Sequence, residues 1–128
     1  MLLVIGGAFQ GKLDTASHLS GIPKEKFLDG RSCPFEEVFR GSGIHHFEEY
    51  IRRWIKEGKN TEELTERLKK ENPAIVVVMR EVGYGIVPMD AFERDFRERT
   101  GRVGCELART AGKVVRVICG IGTVIKND

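Results

Sequence analysis

An apolar segment that runs directly into glycines opens the chain and constrains the fold more than any other stretch. Residues 2–5 have the length and β-branched character of a buried strand. Gly6, Gly11 and Lys12 follow at the spacing G-x-x-x-x-G-K, which is typical of a phosphate-binding loop. Glycines let the backbone curl its N–H groups around phosphate oxygens, and a helix starting at Lys12 favours an anion at its N-terminus. The alternative is a plain strand-to-helix turn.

The predicted nucleotide site combines loop backbone with one cation. Its residues are Gly6, Gly7, Ala8, Phe9, Gln10, Gly11, Lys12 and Leu13. Lys12 is the predicted catalytic cation, because an ammonium group there neutralises charge on a transferred phosphoryl group. Leu13 stands where a Ser or Thr hydroxyl would hold Mg2+, so other groups would have to hold the metal.

Composition limits the classes of protein to which this chain can belong. Its 128 residues, 41% hydrophobic and 31% charged, indicate a single globular domain over 1–128. A net charge of +2 gives no argument for nucleic acid or a membrane surface, and no apolar run reaches the roughly 18 residues of a membrane span. The three cysteines have no metal-type spacing. We therefore expect a cytoplasmic protein with reduced thiols.

Two carboxylates follow segments with strand character. Asp29 comes after the short apolar segment 26–28 and is a candidate magnesium ligand, the alternative being an Asp-Gly turn. Residues 74–79 are apolar throughout, as in a parallel strand covered on both faces. Glu81 follows that strand, and ligands of open α/β sheets bind at the carboxyl ends of strands. Glu81 is thus predicted to accept a proton or bind Mg2+, rather than to be a surface glutamate beside a turn.

Two histidines stand at the start of the clearest amphipathic helix, predicted over 45–57. The apolar side chains of this helix recur at helical spacing and are Phe47, Tyr50, Ile51, Trp54 and Ile55. A histidine beside a phosphate can act as a covalent nucleophile, so His45 and His46 are candidate catalytic residues. The alternative is a pair of solvated or capping histidines.

The predicted elements alternate in the order β-α-β-α-α-β-α-β. Residues 30–44 are predicted mostly as loop. The last long helix begins at Asp90, a final strand covers 114–119, and the residues after it form a tail. Such alternation implies a mostly parallel sheet with helices on both faces. The predicted fold is therefore α/β, a three-layer sandwich with a small sheet.

Three blocks of the sequence together resemble the adenosylcobinamide kinase / adenosylcobinamide-phosphate guanylyltransferase family of cobalamin biosynthesis. The first is LLVIGGAFQGK, which is similar to the family's opening strand and loop. The second is EVGYGIVP at 81–88, followed by TGRV at 100–103, and the third is the closing ICGIGTVIK. The resemblance covers more than half of the chain.

The resemblance implies a P-loop NTPase-like fold that phosphorylates adenosylcobinamide with ATP or GTP and Mg2+. A second reaction of the family transfers GMP to the phosphate through a guanylylated histidine. The implied partners are a corrinoid small molecule and further copies of the same chain, commonly in a trimer.

The chain departs from the family pattern in its middle, which is shorter where the family carries the helix with the acceptor histidine. One alignment sets Asp29 against the family's later strand-end aspartate, with the 45–57 helix following it. On that alignment the resemblance implies only the kinase reaction. The other hypothesis is a non-catalytic relative that binds a nucleotide or corrinoid and regulates or scaffolds a partner. Leu13 and the shortened middle favour that hypothesis.

Overall fold

The computed structural model describes residues 1–7, 11–82 and 90–128, in which strands and helices alternate along the chain. The strands are β1 (Leu2–Gly6), β2 (Phe27–Asp29), β3 (Gly43–His45), β4 (Val76–Arg80), β5 (Lys113–Ile118) and β6 (Ile121–Asn127). The α-helices are α1 (Lys12–Ser20), α2 (Phe47–Lys56), α3 (Thr61–Glu71) and α4 (Ala91–Thr110). Two short 3₁₀ helices cover Lys24–Lys26 and Phe35–Phe39.

The strands form one sheet in the order β2-β3-β4-β1-β5-β6. All neighbouring pairs are parallel except β5 and β6, which are antiparallel. The prediction of an α/β fold with a mostly parallel sheet is confirmed. The carboxyl ends of β1 to β5 therefore meet on one side of the sheet, which we call the carboxyl edge.

Helices cover both faces of the sheet because the side chains of its inner strands alternate between two cores. On one face Leu3, Val77 and Val114 pack in a cluster with buried residues of α2, α3 and α4. On the other face Val4 and Val78 pack in a cluster with Ala16 of α1. This alternation is the period-two pattern of strands buried on both sides. None of the helices in the described part of the chain is long and apolar enough to cross a membrane.

Two segments that the sequence analysis assigns to a loop and a tail are strands. β3 begins within the predicted loop 30–44 and ends one residue beyond it, and β6 is formed by the predicted tail. Three residues carry too little local signal for a strand, and β3 exists because β2 and β4 supply hydrogen-bonding partners on both sides. β6 exists because the turn after β5 folds it back along that strand.

The start of the amphipathic helix also differs from the prediction. His45 is the last residue of β3, and His46 is the N-cap of α2 in a left-handed conformation with φ of 53°. The strand directly before α2 is thus β3 and not β2. The alignment that sets Asp29 against the family's later strand-end aspartate stays a prediction, with β3 lying between Asp29 and this helix.

Candidate functional site

The predicted phosphate loop follows a strand and precedes a helix, as its sequence requires. β1 ends at Gly6 and α1 begins at Lys12, while Ala8, Phe9 and Gln10 lie outside the described residues. Gly11 has a left-handed φ of 78°, which glycine adopts without strain. The ammonium group of Lys12 donates a hydrogen bond of 2.6 Å to the carbonyl oxygen of Gly7. The side chain of Lys12 is therefore hydrogen-bonded to the first part of its own loop.

Gly6 is required by close packing rather than by its backbone angles. A Cβ atom at this position would lie 2.5 Å from the carbonyl oxygen of Val117 in β5. The β1 end is thus in direct contact with the neighbouring strand, and no larger residue fits there.

The Lys12 ammonium lies within electrostatic reach of three charged residues at the end of β4 and the start of α2. Burial lowers the pKa of Lys12 most, and the charge of Arg80 lowers this pKa further. The carboxylates of Glu48 and Glu81 act in the opposite direction and raise the pKa of Lys12. Two cations and two carboxylates therefore share the carboxyl edge beside β1.

Glu48 is a buried carboxylate in the first turn of α2, with only 4% of its surface exposed. Its Oε1 accepts a hydrogen bond of 2.7 Å from the backbone N–H of Arg80, at the end of β4. Its Oε2 lies 3.6 Å from Nδ1 of His46, an ion-pair distance when that imidazole is protonated. Sequence reasoning missed this residue. The available signal was its spacing, because Glu48 precedes Ile51 by three residues and Ile55 by seven, on the apolar side of the helix.

The two histidines occupy different environments although their ring centroids are 4.7 Å apart. His45 pairs with Asp29 in the β2–β3 register. Burial, and next the nearby charge of His46, hold the pKa of His45 below its usual range. His46 has 43% of its side chain exposed and a left-handed backbone that is uncommon for a residue other than glycine. Both rings are half-buried, and His46 is the one whose ring faces a carboxylate.

Glu81 joins the ends of three strands. Its backbone N–H donates a hydrogen bond of 2.8 Å to the carbonyl oxygen of Gly6. Its carboxylate accepts a hydrogen bond of 3.1 Å from Nη2 of Arg116 in β5. The carboxylate predicted to bind Mg2+ is therefore engaged by a guanidinium group.

Asp29 lies at the opposite end of the carboxyl edge, on β2. Nε and Nη2 of Arg31 donate to its two carboxylate oxygens, and the backbone N–H of Arg31 donates to Oδ1. These hydrogen bonds lower the pKa of Asp29 to about 2. In the sheet order β2 is three strands from β1, a separation of about 14 Å at ordinary strand spacing. The structure brings Lys12 and Glu81 to one end of this edge and Asp29 to the other.

The side chains present do not fit a protein-held Mg2+ ion. Leu13 offers no oxygen, and the carboxylates of Asp29 and Glu81 are each paired with an arginine. Within residues 1–7, 11–82 and 90–128, no group of three or more His, Cys, Asp or Glu side chains is arranged to hold a metal ion. A metal at this edge would depend on oxygen ligands from a nucleotide and from water.

Comparison with known proteins finds a family match that begins after the loop. A family model described as cobinamide kinase / cobinamide phosphate guanyltransferase matches residues 45–125. Two relatives are each named bifunctional adenosylcobalamin biosynthesis protein CobU, one from Escherichia coli K12 and one from Salmonella typhimurium LT2. Each is 48% identical over 52 residues, which are 41% of this chain and 29% of the relative. The aligned stretch thus spans less than a third of either relative.

Proposed function

The chain belongs to the cobinamide kinase / cobinamide phosphate guanyltransferase family, and on that premise we propose that it phosphorylates adenosylcobinamide in cobalamin biosynthesis. The phosphoryl donor is a nucleoside triphosphate, ATP or GTP. The family match begins at His45, so the glycine loop from Gly6 to Lys12 supports the proposal independently of it. We further propose that the layered sheet is of the P-loop NTPase-like class.

The observation that carries this proposal is the position of Lys12 between the glycine loop and the end of β4. Backbone N–H groups of the loop would surround the phosphates, and the N-terminus of α1 would favour the same negative charge. Lys12 would leave the Gly7 carbonyl oxygen and neutralise charge on the transferred phosphoryl group. Phosphoryl transfer depends mainly on positioning and charge stabilisation, which these groups provide.

The roles of Asp29 and Glu81 in holding Mg2+ stay predictions. Both carboxylates are already engaged, Asp29 by Arg31 and Glu81 by Arg116. Glu81 is nevertheless the better candidate to orient the attacking hydroxyl group, because its backbone is hydrogen-bonded to Gly6 at the loop.

His46 is our candidate acceptor for GMP, should the second activity of the family be retained. Its ring is partly exposed, and Nδ1 faces the carboxylate of Glu48 at 3.6 Å. A carboxylate at this nitrogen orients an imidazole and leaves Nε2 open to attack the α-phosphate of GTP, forming an N–P bond as the α–β bridging P–O bond breaks and pyrophosphate leaves. His45 is the weaker candidate, since it is part of β3 and its burial disfavours the charged ring.

Self-association is proposed from the edge strand β6. Ile121 is 70% exposed and Ile125 is 56% exposed, with Val124 also exposed on the same strand. An edge strand with unpaired backbone groups and apolar side chains is a surface suited to a second copy of the chain. A homo-oligomer, commonly a trimer in this family, would bury it. Light scattering on the wild-type protein and on Ile121→Lys tests this proposal, which fails if the wild type is a monomer.

The decisive experiment incubates the protein with adenosylcobinamide, Mg2+ and either ATP or GTP. We expect phosphorylated corrinoid above background, and none from Lys12→Ala. Nucleotide binding without any phosphorylated corrinoid would instead establish the non-catalytic alternative. In parallel, labelled GTP tests guanylylation, and label lost in His46→Ala but kept in His45→Ala assigns the acceptor.

A further inference from the structure

Arg80 stands directly beside the start of the glycine loop. It is the last residue of β4 and lies opposite Gly6 in the parallel register with β1, about one strand spacing of 4.8 Å away. Val76 and Val78 of the same strand pack in the core on the α1 side of the sheet. The alternation of side chains along a strand predicts that Arg80 leaves the sheet on that side too, where Lys12 begins α1. Arg80 also borders a cleft lined by Arg52 and Arg97 on the α2 and α4 side.

The guanidinium group of Arg80 is exposed and has no ion pair with any described residue, whereas Arg31 and Arg116 each bind a carboxylate. Its backbone is fixed all the same, since its N–H donates to the buried carboxylate of Glu48. Its charge contributes to lowering the pKa of Lys12, after the larger effect of burial. Two cations are therefore held near each other at the mouth of the loop, and an anion between them would relieve their repulsion.

A second cation beside Lys12 is needed because the loop has no hydroxyl residue to hold a metal. A bound triphosphate carries several negative charges, and Leu13 contributes no hydroxyl group to hold a metal against them. The nearby carboxylate of Glu81 is taken by Arg116. Positive charge from the protein itself balances the phosphates at this position without any ligand that the metal would need.

We propose that Arg80 is a second phosphate-binding cation, which together with Lys12 clamps the triphosphate and allows it to bind without Mg2+. The proposal rests on the nucleotide site described above. It adds to that site a second cationic residue and the expectation that the triphosphate binds there without Mg2+. The planar guanidinium group suits this task because its N–H groups can bind two phosphate oxygens at once.

Binding of inorganic tripolyphosphate and of GTP, measured by titration calorimetry with EDTA and then with Mg2+, tests the proposal. We expect the wild type to bind both in EDTA, with affinities within about threefold of those in Mg2+. Arg80→Met keeps the length of the side chain and removes its charge, and should weaken binding in EDTA by about tenfold or more. Arg80→Lys should recover part of that loss. Arg40→Met is the matched control. Arg40 is exposed and precedes the amino end of β3, on the side of the sheet away from the carboxyl edge.

The outcomes separate this inference from the proposed function. Tripolyphosphate binding by the wild type only with Mg2+, or unchanged binding by Arg80→Met, overturns the role of Arg80. If Lys12→Ala loses binding in the same experiment, the proposed nucleotide site is still supported even though the role of Arg80 is overturned. Failure of the wild type to bind either probe under both conditions overturns the site and the inference together. Unfolding temperatures of all variants confirm that binding changes do not come from unfolding.

Discussion

At the β2 end of the carboxyl edge, the paired end, Asp29 has an arginine partner. At the β1–β4 end, the open end, Glu81 is also paired, but the two cations Lys12 and Arg80 have no ion pair with a described residue. Asp29 is held by Arg31 through both carboxylate oxygens. By contrast, within the described residues Lys12 donates a hydrogen bond to a backbone carbonyl oxygen and has no ion pair, and Arg80 has none either. Both ends follow parallel strands of the same sheet. A cation at this edge is thus a stronger candidate for binding an anion when the surrounding structure gives it no carboxylate partner.

The difference has an energetic meaning. An exposed pair such as Asp29–Arg31 adds little stability and has no charge left for a ligand. Unpaired cations near a partly buried lysine cost stability in the empty protein, and binding of an anion recovers that cost. The β1–β4 end is therefore where a phosphate ligand gains most.

The largest expected effect comes from removing the cation at the open end. Lys12→Ala should weaken nucleotide binding and lower turnover by about 100-fold or more, as expected for the loss of one charge-stabilising donor. Titration calorimetry and the corrinoid phosphorylation assay measure the two quantities. Lys70→Ala is the control, because Lys70 is exposed on α3. Wild-type affinity in Lys12→Ala would place the phosphate site elsewhere.

A second prediction tests the packing that holds the open end in place. Gly6→Ala should lower the free energy of unfolding by about 2 kcal/mol, since the added Cβ meets the Val117 carbonyl oxygen. Gly101→Ala is the contrasting variant, because no atom lies within 4 Å of a Cβ there in helix α4. That change should raise the free energy of unfolding by about 1 kcal/mol. Urea unfolding measures both, and equal effects at the two glycines would contradict the contact.

A third prediction concerns the buried acid that the open end depends on. Glu48→Ala leaves the Arg80 N–H without its acceptor and should lower the free energy of unfolding by about 1–3 kcal/mol. Glu48→Gln keeps an acceptor oxygen and should recover most of this loss. Denaturant unfolding compares the two variants. Should both be equally destabilised, the carboxylate charge rather than the hydrogen bond would be the stabilising feature.

The smallest effect is expected at the paired end and depends on pH. Arg31 lowers the pKa of Asp29 from 3.8 to about 2, so the folded state favours the ionised carboxylate. The pair therefore stabilises the protein above about pH 4, and this contribution is lost as the pH falls towards 2. Because the pair is exposed, we expect less than about 1 kcal/mol. Unfolding of wild type and Asp29→Asn should differ at pH 5 and converge near pH 2.

The phosphate affinity of Asp29→Asn completes the comparison. We expect it to match the wild type, because the carboxylate is three strands from β1 and bound to Arg31. A loss of Mg2+-dependent binding in this variant would instead support the role in metal binding predicted for Asp29.

Several features were predictable because they are written in short stretches of the chain. The spacing from Gly6 to Lys12 predicts a strand before the loop and a helix after it, and β1 and α1 are found at these places. The apolar spacing of α2 predicts its buried face, and the apolar run before Arg80 predicts a strand covered on both sides. The three blocks that resemble the cobinamide kinase family are also local, and the family assignment is confirmed.

The sequence by itself thus determined the mostly parallel α/β class and the family, because periodicity, glycine spacing and short motifs act within a few residues. Only the tertiary structure decided that β3 and β6 are strands, since each forms by pairing with a neighbour. The tertiary structure also decided which charged side chains have an ion-pair partner. Asp29 pairs with Arg31 and Glu81 pairs with Arg116, whereas Arg80 remains exposed beside Gly6. Charge pairing and burial depend on contacts across the sheet, which no local pattern specifies.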